Sequence, residues 1–197
     1  MHGYGEMAKL TGNSNINIGA DLTSQVYGGG NIALTQGNTN ININSGTHTK
    51  AIYGGGNVGQ IQGNTIVNIN GGTQETVYGG GNQATVTTSS VNINGGTNNN
   101  VFAGGNQAKV TNTTVNILGG INTDVYGGGN SADVEITNSY VKGGNTKALY
   151  GGSNQTGTVN NSNIETTNGT VDTIYGGNNI GGTTLDAVVT IKRWKYY

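Results

Sequence analysis

The sequence predicts an all-β protein that forms a single right-handed parallel β-solenoid of about seven coils. Three observations predict this fold: a unit of 24–26 residues repeats along the chain, apolar and polar residues alternate within the unit, and glycine and asparagine stand where a helix would need helix formers. In a solenoid each unit forms one coil, and its strands pair with those of the neighbouring coils. The right hand follows the rule for crossovers between parallel strands.

An aromatic residue in front of a glycine-rich block marks each repeat, and an asparagine follows four positions later. The aromatic column comprises Tyr27, Tyr53, Tyr78, Phe102, Tyr126, Tyr150 and Tyr175. The corner asparagine column comprises Asn31, Asn57, Asn82, Asn106, Asn130, Asn154 and Asn179. This fixed period indicates one repeat array over residues 4–191 within a single domain that spans residues 1–197.

Three short strands are predicted within each unit, which at residues 76–97 reads TVYGGGNQATVTTSSVNINGGT. The segments SVNIN (90–94) and QATV (83–86) alternate apolar and polar side chains, as half-buried strands do. Val77 marks the third strand. Three strands and three turns in one unit fit a solenoid coil better than a propeller blade, which needs four strands and roughly 40 residues.

Superposed units place apolar residues in inward columns, for which Val77, Val86, Val91 and Ile93 are the examples in this unit. β-Branched side chains suit the pleated surface of a narrow interior, and a column of small residues that includes Ala84 fits where the interior is tight. The YGGG and GG blocks are predicted corners, where the backbone adopts positive φ or closely approaches another coil. A phosphate-binding loop is disfavoured, because the block recurs and no GK[ST] follows it.

The aromatic column has two interpretations. If Val77 points inward, Tyr78 points outward, and the rings form an exposed stacked ribbon. The structural interpretation is that each ring covers glycine backbone and that stacking stabilises the coils. Phe102 favours this interpretation, because it lacks the hydroxyl group. The alternative is a platform on which sugar rings stack.

The asparagine residues predict hydrogen-bonded ladders. We expect the corner asparagine column to be internal and to satisfy backbone groups at the corners, with a row of polar ligand sites as the minority alternative. The outward face of the VNI strand is predicted to be a flat, uncharged polar exterior. Glycan binding is an alternative, and ice binding is disfavoured because regular threonine columns are not seen. This face asparagine column comprises Asn17, Asn42, Asn68, Asn92 and Asn116.

The composition disfavours several classes of partner. Only 9% of the residues are charged and the formal net charge is −1, so the chain lacks the basic surface typical of nucleic-acid binding. No apolar segment is long enough for a membrane span, and the chain has no cysteine with which to form disulfides. We therefore expect neither a nucleic-acid partner nor membrane insertion.

The acidic residues are scattered and do not suggest catalysis. Asp133 and Glu135 lack a basic neighbour in sequence and are predicted to be surface residues, while His2 and His48 are isolated. We expect a non-enzymatic protein without cofactor or metal. Two ion pairs between coils are predicted instead, Lys50 with Glu75 and Lys147 with Asp172, each worth only about 0–1 kcal/mol when exposed.

Both termini carry signals of their own. Residues 4–18 form a degraded repeat, in which Ala8 and Leu10 fall in the small and branched columns. We therefore expect the chain to open in mid-coil, as an excised piece of a longer array would. At the other end the sequence KRWKYY (192–197) predicts a partial cap around Trp194, with a disordered or partner-binding tail as the alternative.

The alternation of VYGGGN with VNINGGT resembles the glycine- and asparagine-rich YGGGN repeats of large predicted cell-surface proteins in gut-type Gram-positive and related bacteria. The resemblance covers residues 4–191. It implies an extracellular or cell-surface location and a display role as a rigid spacer or adhesin stalk, and it offers no catalytic residues. The sequence shows no signal peptide or wall anchor, so the location is implied by the resemblance alone.

The expected partners are glycans or other surface proteins, together with end-to-end self-association. A carbohydrate-binding module is the main alternative function. A phage tail-fibre segment, a polysaccharide-degrading β-helix enzyme and an ice-binding protein are weaker alternatives.

Overall fold

The computed structural model of the chain describes residues 1–3 and 5–192. They form a β-solenoid of about seven turns, as predicted. The 14 strands in this part of the chain belong to one sheet, and the strand pairs are parallel. No helix occurs among these residues. The predicted cap at Trp194 lies outside the described residues, and the handedness stays a prediction.

Two strand columns form the long faces of the solenoid. The VNI face contains β1 (Ser14–Ile18), β3 (Thr39–Ile43), β6 (Thr65–Ile69), β8 (Val86–Ile93) and β10 (Val110–Ile117). The aromatic face contains β2 (Val26–Tyr27), β5 (Ile52–Tyr53), β7 (Thr73–Tyr78), β9 (Thr97–Phe102) and β11 (Ile121–Tyr126), with β4 (Thr47–His48) beside β7. The last coils contain β12 (Val134–Tyr150), β13 (Thr158–Tyr175) and β14 (Thr183–Ile191).

The third predicted strand is short in the first coils. It consists there of single bridges that join Leu10 to Thr35, Thr35 to Ile61 and Ile61 to Val86. From β8 onward this segment continues directly into the VNI strand. In β12 the extended chain also runs through the GG corner, so that one strand of 17 residues serves both faces.

The register of the coils confirms the predicted columns. Val77 pairs with Ile52 and Val101, and Val91 pairs with Val67 and Val115. These columns form one continuous core in which most side chains are fully buried. The Val86 column forms a separate small cluster of Ile61, Val86 and Val110. Stability therefore accumulates between neighbouring coils, as in other repeat proteins.

The two kinds of glycine corner have different causes. At the GG corners the second glycine is left-handed, with φ of +81° at both Gly72 and Gly96. The YGGG corners have no such φ, and their glycines are required by close packing of successive backbones. A Cβ on Gly80 would lie 2.8 Å from the Gly105 nitrogen, closer than real Cβ contacts allow.

A buried hydroxyl column, which the sequence analysis missed, ties the VNI face to the YGGG corners. Thr65 Oγ1 donates to the Gly79 carbonyl at 2.6 Å, and Thr137 Oγ1 donates to the Gly151 carbonyl at 2.6 Å. Among the described residues, these carbonyls accept no backbone N–H. The hydroxyl is therefore needed to satisfy them. The bond is made by Thr39, Thr65, Ser89, Thr113 and Thr137. Ser14 and Ser162 continue the column at its two ends, but their hydroxyl oxygens have no hydrogen-bond partner among the described residues.

The predicted ion pairs are wrong. Neither Lys50 with Glu75 nor Lys147 with Asp172 forms a salt bridge, although Lys147 and Asp172 lie in matching positions of adjacent coils. Glu75 Oε1 instead accepts a hydrogen bond from Asn99 Nδ2 at 2.9 Å. The repeat spacing determines which residues are aligned in adjacent coils. Long exposed side chains lose conformational entropy when they are held in one geometry, so aligned residues of opposite charge do not necessarily form an ion pair.

Two other ion pairs occur within the described ranges. Lys109 Nζ lies 2.6 Å from Glu135 Oε1, and Lys192 Nζ lies 2.8 Å from Glu165 Oε1. Glu135 thus has a basic neighbour one coil away, which the sequence analysis did not find. Asp133 Oδ1 accepts the Thr158 backbone N–H at 2.7 Å, so this carboxylate caps backbone of the next coil.

Candidate functional site

The aromatic column is stacked as predicted, but it is buried rather than exposed. Successive ring centroids are 4.5–4.9 Å apart and the rings are within 12° of parallel. The five rings from Tyr27 to Tyr126 are buried, with Tyr78 only 7% exposed, whereas Tyr150 is half-buried and Tyr175 is 49% exposed. The inference that an inward Val77 forces Tyr78 into water fails because each ring is sandwiched between its neighbours. No ring-sized space is left within the stack for a sugar.

The column also starts earlier than the sequence analysis recognised. The His2 ring stacks on Tyr27 with a centroid distance of 4.8 Å and an interplanar angle of 5°. His2 is therefore not isolated but occupies the aromatic position of the first coil, and desolvation lowers its pKa. The signal was present in the spacing, since His2 lies one repeat length before Tyr27.

Burial changes the acidity of the phenols. Desolvation, with a smaller contribution from the neighbouring ring, raises the pKa of Tyr53 to about 12. Desolvation also raises the pKa of Tyr126 to about 12, and Asp124 adds to this shift. The pKa of Tyr78 is raised further still by the same burial. The column is thus built for neutral phenols and disfavours phenolate.

The corner asparagine column is a continuous amide ladder. Asn57 Nδ2 donates to Asn31 Oδ1 at 2.7 Å, and the same bond recurs down to Asn179, which donates to Asn154 at 2.9 Å. The side chains are mostly half-buried and bond to each other. The predicted asparagine ladder is thus confirmed, but its carboxamides bond to each other rather than to backbone groups, and they are half-buried rather than internal. At the start of the ladder Asn31 Nδ2 donates to Glu6 Oε1 at 3.4 Å. A carboxylate suits this end position, because it only accepts hydrogen bonds and needs no further acceptor beyond it.

The face asparagine column forms a second ladder. Asn42, Asn68, Asn92 and Asn116 each donate to the asparagine one coil earlier at 2.8–2.9 Å. Beside it, the edge asparagine column consists of Asn44, Asn70 and Asn94, linked at 2.9 and 2.8 Å. Asn42, Asn92 and Asn116 each use one N–H along the column and keep the second for solvent or a ligand, whereas Asn68 Nδ2 also donates to Asn40 Oδ1 at 3.2 Å.

The polar face changes character at the sixth coil. Tyr140 takes the position that follows Asn116, and Lys142 Nζ lies 5.4 Å from the Tyr140 ring centroid. In the next coil Glu165 occupies this position and pairs with Lys192. The amide ladder therefore gives way to an aromatic and charged patch.

A second buried feature was also missed, a column of polar side chains inside the aromatic face. Asn98 Nδ2 donates to Asn122 Oδ1 at 2.8 Å, and Gln74 Nε2 donates to the Gly71 carbonyl at 2.9 Å. The repeat spacing aligns these residues, but inward positions were expected to be apolar, so side-chain amides were not predicted there. The column comprises His48, Gln74, Asn98, Asn122 and Thr146, and all five are nearly inaccessible.

Comparison with models of protein families, with curated proteins and with solved structures finds no match to this chain.

The described residues offer little reactive chemistry. No group of three or more His, Cys, Asp or Glu side chains there is arranged to hold a metal ion. The same part of the chain contains no helix with the length and apolarity to cross a membrane. What the outward surface does offer is a periodic array of amide donors and acceptors, repeated at the strand spacing of ~4.8 Å.

Proposed function

We propose that the chain is a non-enzymatic structural module that acts as a rigid spacer or stalk in an extracellular surface protein. The observation that carries this proposal is that side chains in each column contact their equivalents in the preceding and following coils. Rings stack on rings and carboxamides bond to carboxamides over the length of the array. Such repetition supplies axial stiffness. The extracellular location rests on the resemblance of the YGGGN and VNINGG units alone.

Rigidity can be tested directly, because the chain has no cysteine. Thr47 and Thr170 lie in one exposed column, linked through Thr73, Thr97, Ile121 and Asn145, and are five coil steps apart. Spin labels on a Thr47→Cys/Thr170→Cys variant are expected to show a narrow distance distribution centred near 24 Å, as five strand spacings of ~4.8 Å require.

The matched pair Thr47→Cys/Thr97→Cys spans two steps and controls for label geometry. A broad distribution for the longer pair combined with a narrow one for the shorter pair would show that the array bends, and the spacer proposal would fail. End-to-end association of copies belongs to the same proposal, and its signature is a concentration-dependent rise in scattering mass.

The second candidate is carbohydrate binding, and the face asparagine column favours it. This face is half-exposed and uncharged, and the amide N–H groups that the ladder leaves free at Asn42, Asn92 and Asn116 suit a hydroxyl-rich chain laid along the axis. The stacked tyrosines contribute little to this candidate, because their faces are covered. The proposed site therefore moves from the aromatic column to the VNI face.

A glycan array probed with the wild-type chain and with an Asn92→Ala/Asn116→Ala variant tests this candidate. Loss of a bound glycan in that variant, with folding retained, supports binding on the face. The control variant Tyr175→Ala removes the exposed tyrosine at the last position of the aromatic column. Loss of binding only in the control would instead place the sugar on the end of the aromatic column, and no binding by the wild-type chain would leave the spacer proposal alone.

A further inference from the structure

The chain contains three Asn–Gly bonds, Asn70–Gly71, Asn94–Gly95 and Asn168–Gly169. In such a bond the glycine has no side chain to shield its backbone nitrogen, which can reach the asparagine side chain. The nitrogen loses its proton to water and attacks Cγ. The new C–N bond closes a succinimide, and the Cγ–Nδ2 bond breaks to release ammonia. Water then opens the ring at either carbonyl and gives aspartate or isoaspartate.

Two of the three bonds, Asn70–Gly71 and Asn94–Gly95, lie in the edge asparagine column. There the asparagine carboxamide and the glycine backbone nitrogen both form hydrogen bonds. Asn70 Nδ2 donates to Asn44 Oδ1 at 2.9 Å, and Asn70 Oδ1 accepts from Asn94 Nδ2 at 2.8 Å. The attacking nitrogens are also engaged, since Gly71 N donates to the Ile43 carbonyl at 3.3 Å and Gly95 N to the Ile69 carbonyl at 3.1 Å. Cyclisation of either bond must first break hydrogen bonds between coils.

Asn168 belongs to the same column but lies beyond the ladder. Leu118 follows Asn94 in this column, and Lys142 pairs with Asn168. Neither side chain has an oxygen that could accept from an amide. Asn168 is exposed, and no described residue forms a hydrogen bond with its carboxamide. The pairing of β12 with β13 also shifts register on both sides of Lys142, and Gly169 has a φ of +86°. Here the ladder is replaced by an irregular corner.

We propose that Asn168 is the site at which this chain spontaneously deamidates, and that the edge asparagine column protects Asn70 and Asn94 from the same reaction. Conversion to aspartate places a carboxylate level with Lys142 and allows a new pair between coils. Conversion to isoaspartate lengthens the backbone by one atom and disrupts the pairing of β13 with β12. This inference does not depend on the spacer proposal.

The test is peptide mapping by mass spectrometry after the full chain has been incubated in mildly alkaline buffer. In the folded chain, Asn168 is expected to convert roughly tenfold faster than Asn70 or Asn94, because the carboxamides of the latter two are held by hydrogen bonds of the ladder and that of Asn168 is not. In the chain unfolded by guanidinium, the three sites are expected to convert at similar rates. Equal rates in the folded chain, or a preference that survives unfolding, would overturn the proposal.

Variants separate the ladder from general exposure. Lys142→Asn supplies a side-chain acceptor level with Asn168 and is expected to slow its conversion roughly tenfold, while Lys142→Ala supplies none and leaves the rate unchanged. Asn44→Ala removes the acceptor of Asn70 and is expected to accelerate conversion there but not at Asn94. If Lys142→Asn and Lys142→Ala behave alike, with circular dichroism unchanged in both, the ladder does not control the reaction.

Discussion

At the scale of single residues, the solenoid depends on small polar groups in places where the apolar pattern would not put them. The hydroxyl column is the clearest case, because Thr65 satisfies a corner carbonyl that has no backbone donor. Ser139 is the opposite case. It replaces valine in the inward column between Val115 and Ile164, is fully buried, and its Oγ has no hydrogen-bond partner.

Replacing Thr65 with valine tests the hydroxyl column. The change keeps the β-branched shape but leaves the buried Gly79 carbonyl unsatisfied, so we expect a loss of about 1–3 kcal/mol in the free energy of unfolding. Urea denaturation followed by circular dichroism measures it. The control Thr65→Ser keeps the hydroxyl that Ser89 uses in the next coil and should lose less. Equal losses in the two variants would contradict the role given to the hydroxyl.

Replacing Ser139 with valine should stabilise the protein. A Cβ added to Gly127 would lie 2.8 Å from Ser139 Oγ, and one added to Gly79 would lie 2.9 Å from Val91 Cγ2. Oγ therefore occupies the place of one valine methyl group, and valine already fills this inward position one coil earlier, at Val115. Removing an unsatisfied buried hydroxyl should raise the unfolding free energy by about 1–2 kcal/mol. The reverse change, Val115→Ser, should lower it, and a destabilised Ser139→Val variant would refute the account.

At the scale of the strand and the column, the sequence predicted the register well and the exposure less well. A period of 24–26 residues aligns Val77 with Val101 unambiguously, since a slip by one residue would turn its strand inside out. The period says nothing about which outward side chains are covered. Tyr78 alternates with Val77 and yet is buried, because stacking covers both faces of the ring. The inward amides of Gln74 and Asn98 escaped prediction for a related reason, since their partners lie in other coils and at the corners.

The aromatic column is expected to make the protein less stable at alkaline pH. Burial raises the pKa of Tyr53 and Tyr126 to about 12, above the ~10 of an unfolded tyrosine. The folded state therefore binds these protons more tightly, so the stability is fully present below pH ~10 and is lost as the pH rises towards ~12. Unfolding monitored together with tyrosinate absorbance should show both changes in that window.

A Tyr53→Phe/Tyr126→Phe variant provides the control for the alkaline transition. Phe102 shows that the stack accepts a phenyl ring, with centroids 4.5 Å from Tyr126 and 4.7 Å from Tyr78. Without two of the titrating groups, the variant should retain its structure to higher pH than the wild-type chain. A midpoint that does not move would mean that other groups cause the alkaline transition.

At the scale of the whole molecule, the solenoid behaves as a one-dimensional stack, because the strands of each coil pair with those of the adjacent coils. A hydrogen bond from Asn179 Nδ2 to the Tyr126 hydroxyl, at 3.4 Å, spans two coil steps. The clearest test is to add a coil. A second copy of residues 86–109, inserted between Lys109 and Val110, repeats a unit whose register with the next is Val86 to Val110. The denaturant m-value should rise because more surface is buried, and small-angle scattering should show a rod longer by ~4.8 Å.

The control inserts only residues 86–97, which supply half a coil. The residues after the insertion then lose register with the coils before it, and this variant should be strongly destabilised. Equal stability of the two variants would mean that both inserted segments form loops. The claim that stability depends on the register of stacked coils would then be wrong.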